Sequence, residues 1–147
     1  MVKKSQIIFT EGKELALKAL FSDSNCKFGY LAVGYSEDNG FQDPKIDGDS
    51  TPNGFKELNG TNGYQRVQLQ LHDSEPEVDE STGKVLVRFQ ATLDINNIKQ
   101  SQKINQIAIV DNQESGRADT KFYSATSFEP FIKSIDSSIT FVIGFRI

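Results

Sequence analysis

The sequence predicts a mainly β protein: an antiparallel β-sandwich or jelly-roll-like domain with one N-terminal amphipathic helix. Three observations predict it. The terminal run alternates Ile139, Phe141, Ile143, Phe145 and Ile147 with Thr140, Val142, Gly144 and Arg146, the two-residue period of a strand with one buried face. Gly83–Leu93 repeats the pattern, with Val85, Val87, Phe89, Ala91 and Leu93 against Arg88, Gln90 and Thr92. The remaining apolar residues fall in short runs separated by Gly, Asn, Asp and Ser, as in many short strands joined by polar loops. The 147 residues, 37% of them hydrophobic, are read as one domain, because a chain of this length buries roughly 68–70% of its unfolded surface. Such a core needs neither disulfides nor metals.

Residues 1–22 read as a strand–helix unit and 27–147 as the sandwich. Ser5–Thr10 is a short β-like run. Thr10 is a candidate N-cap for a helix from Glu11 to about Phe21, with Glu11 and Glu14 near its positive end. Leu15, Ala16, Ala19 and Leu20 share one face, so the helix is expected to lie on the sheet as a lid. Gly12 weakens its first turn by about 1 kcal/mol relative to Ala. Lys27–Tyr35 is apolar on both faces, the mark of a central strand. A long loop, 36–62, follows, punctuated by Asn39-Gly40, Asp47-Gly48, Asn53-Gly54, Asn59-Gly60 and Asn62-Gly63. These are strong turn dipeptides, and a loop this long inside a compact domain is usually functional or mobile. Tyr64–His72 alternates again, and with Gly83–Leu93 it predicts a β-hairpin whose tip, Asp73–Thr82, is an acidic solvated turn. Asp94–Lys103 is a connector with one short helical turn. Ile104–Asp111, a run holding Phe122, Tyr123 and Phe128, and Ile139–Ile147 complete about seven strands.

Composition narrows the function classes. The formal charge of −4 gives no electrostatic footprint for nucleic acid or an anionic membrane. Cys26 is the single cysteine, which excludes an intrachain disulfide and a cysteine-based zinc cluster and reads as a buried free thiol. The N-terminus, Met1-Val2-Lys3-Lys4-Ser5-Gln6, lacks the apolar stretch of a signal peptide. No run approaches the about 18 apolar residues of a membrane span. The expectation is a soluble protein made in the cytoplasm.

Catalytic chemistry is not spelled out. His72 is the only histidine and sits at a strand end on the polar face, where it reads as a solvated structural residue rather than part of a triad. Glu75, Glu77, Asp79 and Glu80 crowd one polar turn with nothing apolar nearby to raise a pKa, so general-acid work is not expected. Asp43, Asp47 and Asp49 have the oxygen-rich, Gly-punctuated look of a calcium loop. Their spacing is not that of an EF-hand, and turn formation is the first reading. Asn59-Gly60-Thr61 matches a glycosylation acceptor, which means nothing without a secretory route. No cofactor is implied. Phe41, Phe55 and Tyr64 are the candidates for a protein interface, although anchoring the long loop to the core is the first reading of these aromatics, contact with a partner the second and carbohydrate stacking the third.

The order of motifs adds a resemblance. Tyr30-Leu31-Ala32-Val33-Gly34 opens a strand. Phe55-Lys56-Glu57-Leu58-Asn59-Gly60-Thr61-Asn62-Gly63-Tyr64-Gln65-Arg66-Val67 follows the loop. Ile104-Asn105-Gln106-Ile107-Ala108-Ile109-Val110-Asp111-Asn112 precedes Phe128-Glu129-Pro130, and the chain ends on Ile139–Ile147. From Lys27 onward this resembles small structural proteins of tailed bacteriophages, of the tail fibre, baseplate and head-decoration type. Those carry a YLALGT strand, an E-L-x-G-x-x-Y-x-R segment, an I-x-x-I-A-I-F-D strand and a terminal F-x-P segment with a hydrophobic strand. The chain departs from them at Val33, Tyr35 and Val110 and in lacking Trp. The resemblance implies a non-enzymatic virion component of the tail, baseplate or fibre apparatus, assembled from the host cytoplasm as a homo-oligomer with other virion proteins. A capsid decoration or head-fibre protein is the alternative, and a module binding host surface glycan a further one. The loop and the helix would serve as contacts. On this resemblance Glu57 and Arg66 form a structural ion pair, a strand Arg meeting a carboxylate from the loop.

Overall fold

The computed structural model describes residues 5–8, 10–20, 29–37, 54–58, 64–72, 77–94, 98, 101–115 and 119–146. Its elements are β1 (Ser5–Ile8), α1 (Thr10–Leu20), β2 (Tyr30–Gly34), β3 (Val67–Gln68), β4 (Gln70–Leu71), β5 (Glu77–Asp79), β6 (Lys84–Leu93), β7 (Gln102–Val110), β8 (Phe122–Lys133) and β9 (Ile139–Arg146). The protein is mainly β, with two antiparallel sheets and one short helix among the described residues. The first sheet runs β1-β8-β7-β2-β3. The second is built on β6: β9 pairs along Leu86–Leu93, while β4 meets Phe89 and Gln90 and β5 meets Lys84–Leu86. A strand has two edges, so β4 and β5 share one end to end and β9 takes the other.

The alternation that predicted the sandwich is the alternation that fills it. Val87, Phe89, Ala91 and Leu93 of β6 and Ile143 and Phe145 of β9 are buried against Leu31 and Val33 of β2 and Ile104, Ile107 and Ile109 of β7. Thr92 and Thr140 join hydroxyls on the outer face at 2.8 Å. β2 and β7 are buried on both faces for a second reason: Ala32, Ala108, Val110, Phe122 and Ala125 form a smaller apolar cluster with Phe55.

Two expectations change. Tyr64–His72 is not one strand. Val67 and Gln68 pair with β2 in the first sheet, whereas Gln70 and Leu71 pair with β6 in the second. The hinge is Leu69, fully buried, with its N–H on the Gly29 carbonyl at 2.9 Å. A residue that is apolar and sits between the sheets gains more from burial than from staying in register. The hairpin tip is likewise not all turn, because Glu77–Asp79 pairs with Lys84–Leu86 and leaves a short connection closed by Gly83 N–H on Asp79 O at 2.8 Å. Residues 73–76 lie outside the described residues. The Asp94–Lys103 connector contains an Ile98 N–H to Asp94 O bond of 3.1 Å, with Ile98 buried.

α1 packs on β8 and β6, burying Leu15 and Ala16 and exposing Leu17. The side chains of Ala19 and Leu20 lie outside the described residues. Gly12 has a purpose the propensity scale hides: a Cβ there would lie 2.0 Å from the Tyr123 carbonyl oxygen of β8. Only glycine lets the helix come that close. Pro130, which donates no hydrogen bond, falls where β8 carries extra residues opposite β7, between the pairs Ile104–Phe131 and Gln106–Ser127. Phe128, Phe131 and Phe141 then cluster with ring centroids 5.8 to 6.3 Å apart.

Candidate functional site

The motif residues converge on the outer edge of β2. Tyr30 and Leu31 pair there with β3, and Gly34 forms a bridge with Glu57. Between them the Val33 N–H has no strand to bond. The Tyr64 hydroxyl accepts it at 3.0 Å and donates to Glu57 Oε2 at 2.5 Å. Arg66 grips the same carboxylate with both arms, Nε to Oε2 at 2.7 Å and Nη2 to Oε1 at 2.7 Å. The ion pair expected of Glu57 and Arg66 is therefore present and bidentate, with side chains 16% and 2% exposed. Arg66 Nη1 continues to Asn112 Oδ1 at 2.9 Å and to the Asn112 carbonyl at 3.2 Å. Asn112 in turn donates to Asp111 Oδ1 and Thr120 Oγ1, both at 2.9 Å. One network thus joins the segment after the long loop, the approach to β3 and the β7–β8 turn.

Burial works against the Arg66 charge, but the Glu57 hydrogen bonds and charge outweigh it and raise its pKa. Burial first, and then the Glu57 carboxylate, push the Tyr64 phenol well above its ordinary value of 10.0. The folded state therefore holds a proton that the unfolded chain releases above about pH 10. Stability from this source is complete below that pH and falls as the pH rises through it, by roughly 1.4 kcal/mol per pH unit. Tyr64→Phe is expected to remove that share of the alkaline slope and to cost about 1–3 kcal/mol at neutral pH by orphaning Val33 N–H. Urea unfolding from pH 7 to 11 measures both, and an unchanged alkaline slope in the variant would refute the assignment.

Two side chains of β7 complete the site. Asn105 Oδ1 accepts the Ser36 N–H at 3.0 Å and Asn105 Nδ2 donates to the Ser36 carbonyl at 2.6 Å. Gln106 Oε1 accepts the Lys56 N–H at 2.9 Å and its Nε2 donates to the Gly54 carbonyl at 2.6 Å. Gln106 pairs with Gly34 on β2, and that glycine opens the way: a Cβ at Gly34 would lie 2.2 Å from the Lys56 carbonyl oxygen and 3.2 Å from Gln106 Oε1. Sequence reasoning passed over both amides. Their signal was visible, since two polar residues inside the buried run INQIAIV must find hydrogen bonds.

The interface assignment needs correction for two of its three residues. Phe55 is 7% exposed and packs edge-on against Phe122, centroids 5.8 Å apart, and Tyr64 is 4% exposed. Both anchor the loop end to the sheet and present no contact face, because apolar area this close to the outer cluster is better buried within the chain. Phe41 lies outside the described residues, as do Cys26, Asp43, Asp47, Asp49, Glu75 and Asn59-Gly60-Thr61. His72 is exposed, with Nδ1 2.8 Å from Gln90 Oε1. Hydrogen bonds from the Ser81 hydroxyl and amide lower the Asp79 pKa. Among the described residues no group of three or more His, Cys, Asp and Glu could hold a metal. No helix among them is long and apolar enough to cross a membrane.

Fold and site together define a mainly β protein in which a buried polar network ties strand edges to one another. Comparison with protein families, with curated proteins and with solved structures finds no match for the chain.

Proposed function

We propose that the chain is a non-enzymatic structural protein of a tailed-bacteriophage particle, working in the tail, baseplate or fibre apparatus. One observation carries the reading. Glu57, Tyr64 and Arg66, from the segment that resembles E-L-x-G-x-x-Y-x-R with one residue more before the tyrosine, are hydrogen-bonded to each other and to the β2 edge. A motif used to hold a scaffold suits a protein whose work is assembly. Partners on this reading are other virion proteins and further copies of the chain.

The test is quantitative mass spectrometry of purified particles from the phage that encodes the chain, with the molar mass of the isolated protein in solution. Low copy number with a closed oligomer is the expected result. Hundreds of copies would move the protein to the capsid surface as a decoration or head-fibre component, and absence from particles would overturn the proposal.

A further inference from the structure

The link from β8 to β9 displays apolar side chains where turns are usually polar. Ile132 is 69% exposed, and Ile135, inside the turn, is 42% exposed. Single exposed apolar residues are ordinary, but here the backbone beneath them is fixed. Lys133, between them in the chain, is fully buried, and its ammonium donates to the Ser134 carbonyl at 2.6 Å. The same carbonyl accepts the Ser137 hydroxyl at 3.3 Å and the Ser137 N–H at 3.4 Å. The Ser134 hydroxyl donates to Asp136 Oδ1 at 2.9 Å and lies 3.0 Å from the Ser137 hydroxyl. Opposite charges flank the isoleucines. Lys103 of β7 is the register partner of Ile132, so their side chains stand together on one face of the sheet. Its ammonium lies 5.1 Å from the Tyr35 ring centroid. Asp136 follows Ile135 in the turn. Both charged side chains are exposed, and among the described residues neither has an ion-pair partner.

We propose that this patch is a contact between two copies of the chain, related by a two-fold axis. From β7 over β8 to the turn, its exposed side chains run Lys103, Ile132, Ile135, Asp136: positive, apolar, apolar, negative. A two-fold contact requires a surface that complements itself, and this order does so. Half a turn sets Lys103 of each copy on Asp136 of the other and brings the isoleucines together at the axis. A patch carrying one sign of charge would repel its own copy. The bonds within Lys133–Ser137 hold the turn in place beforehand, so little ordering remains to be done on association. The contact deepens the structural role proposed above, on which it rests for its purpose, yet the two fail separately. A dimeric chain absent from particles would refute that role and keep the contact.

Sedimentation of the full chain over a roughly hundredfold range of concentration, reaching about 100 µM, tests it. The parent is expected to pass from monomer to dimer. Lys103→Glu and Asp136→Lys each set like charges together at both ends of the contact and should each raise the dissociation constant at least about tenfold. Ile135→Ser should weaken the dimer as well, by removing apolar contact at the axis. Lys103→Glu and Asp136→Lys in one chain restore opposite charges at both ends, and the constant is expected to return to within about threefold of the parent. All these side chains are exposed, so unfolding midpoints within about 3 °C of the parent should show that association alone has changed. A parent that stays monomeric throughout leaves the patch to a different protein or to solvent, and overturns the proposal. A double reversal that binds no better than either single variant overturns it equally.

Discussion

Arg66→Ala is expected to lower stability by about 3–5 kcal/mol, because it strands a largely buried carboxylate. The Arg66 side chain is 2% exposed and supplies two of the hydrogen bonds to Glu57, besides both of those to Asn112. Without it Glu57 keeps only the Tyr64 hydroxyl within the network. For a chain of this size the unfolding midpoint should fall by roughly 10 °C. The protein contains its own control. Arg88 and Glu77 are also 2.7 Å apart, but their side chains are 33% and 63% exposed, and Arg88→Ala should cost no more than about 1 kcal/mol. Equal losses for the two arginines would mean that burial is not what makes the inner pair matter. A paired replacement, Glu57→Leu with Arg66→Met, is expected to cost less than Arg66→Ala alone, since it removes both charges together.

Phe89→Ala should be as damaging by a different route, about 3–5 kcal/mol from lost burial and the cavity left behind. Phe89 is fully buried and meets Phe145 edge-on with centroids 5.4 Å apart. It also stands at the centre of the second sheet, paired with Leu71 of β4 and Ile143 of β9. Phe89→Leu keeps most of the volume and should recover more than half of the loss. Val142→Ala on the exposed face of β9 should stay within about 0.5 kcal/mol. Thermal unfolding of the three variants ranks them, and a Phe89→Ala variant no weaker than Val142→Ala would contradict the packing described.

The fold class was legible because alternation is a local property. The residues that decide it in β6 and β9 are neighbours in the chain, and their burial follows from the pleat alone. The double-sided burial of β2 was legible for the same reason. The bend at Leu69 was not: Val67, Leu69 and Leu71 alternate as one strand, and only the position of β2 and β6 in space divides them between two sheets. Gly12 read as a weakness of a helix until Tyr123 was found beneath it. Phe55 and Tyr64 follow the first reading the sequence offered, anchoring the loop to the core, and not the interface role; the pattern reports that an aromatic needs burial but not against what.

The sequence by itself therefore determined the β architecture and its patterned faces, and the resemblance pointed to the Glu57–Arg66 pair. Tertiary structure alone decided that Tyr64 caps an orphaned amide of β2, that Asn105 and Gln106 hold opposite ends of one long segment, and that Gly34 leaves room for the second of them. The physical reason is range. Alternation acts between neighbours, whereas these hydrogen bonds join residues that come together only after the sheets have closed, some of them 69 positions apart.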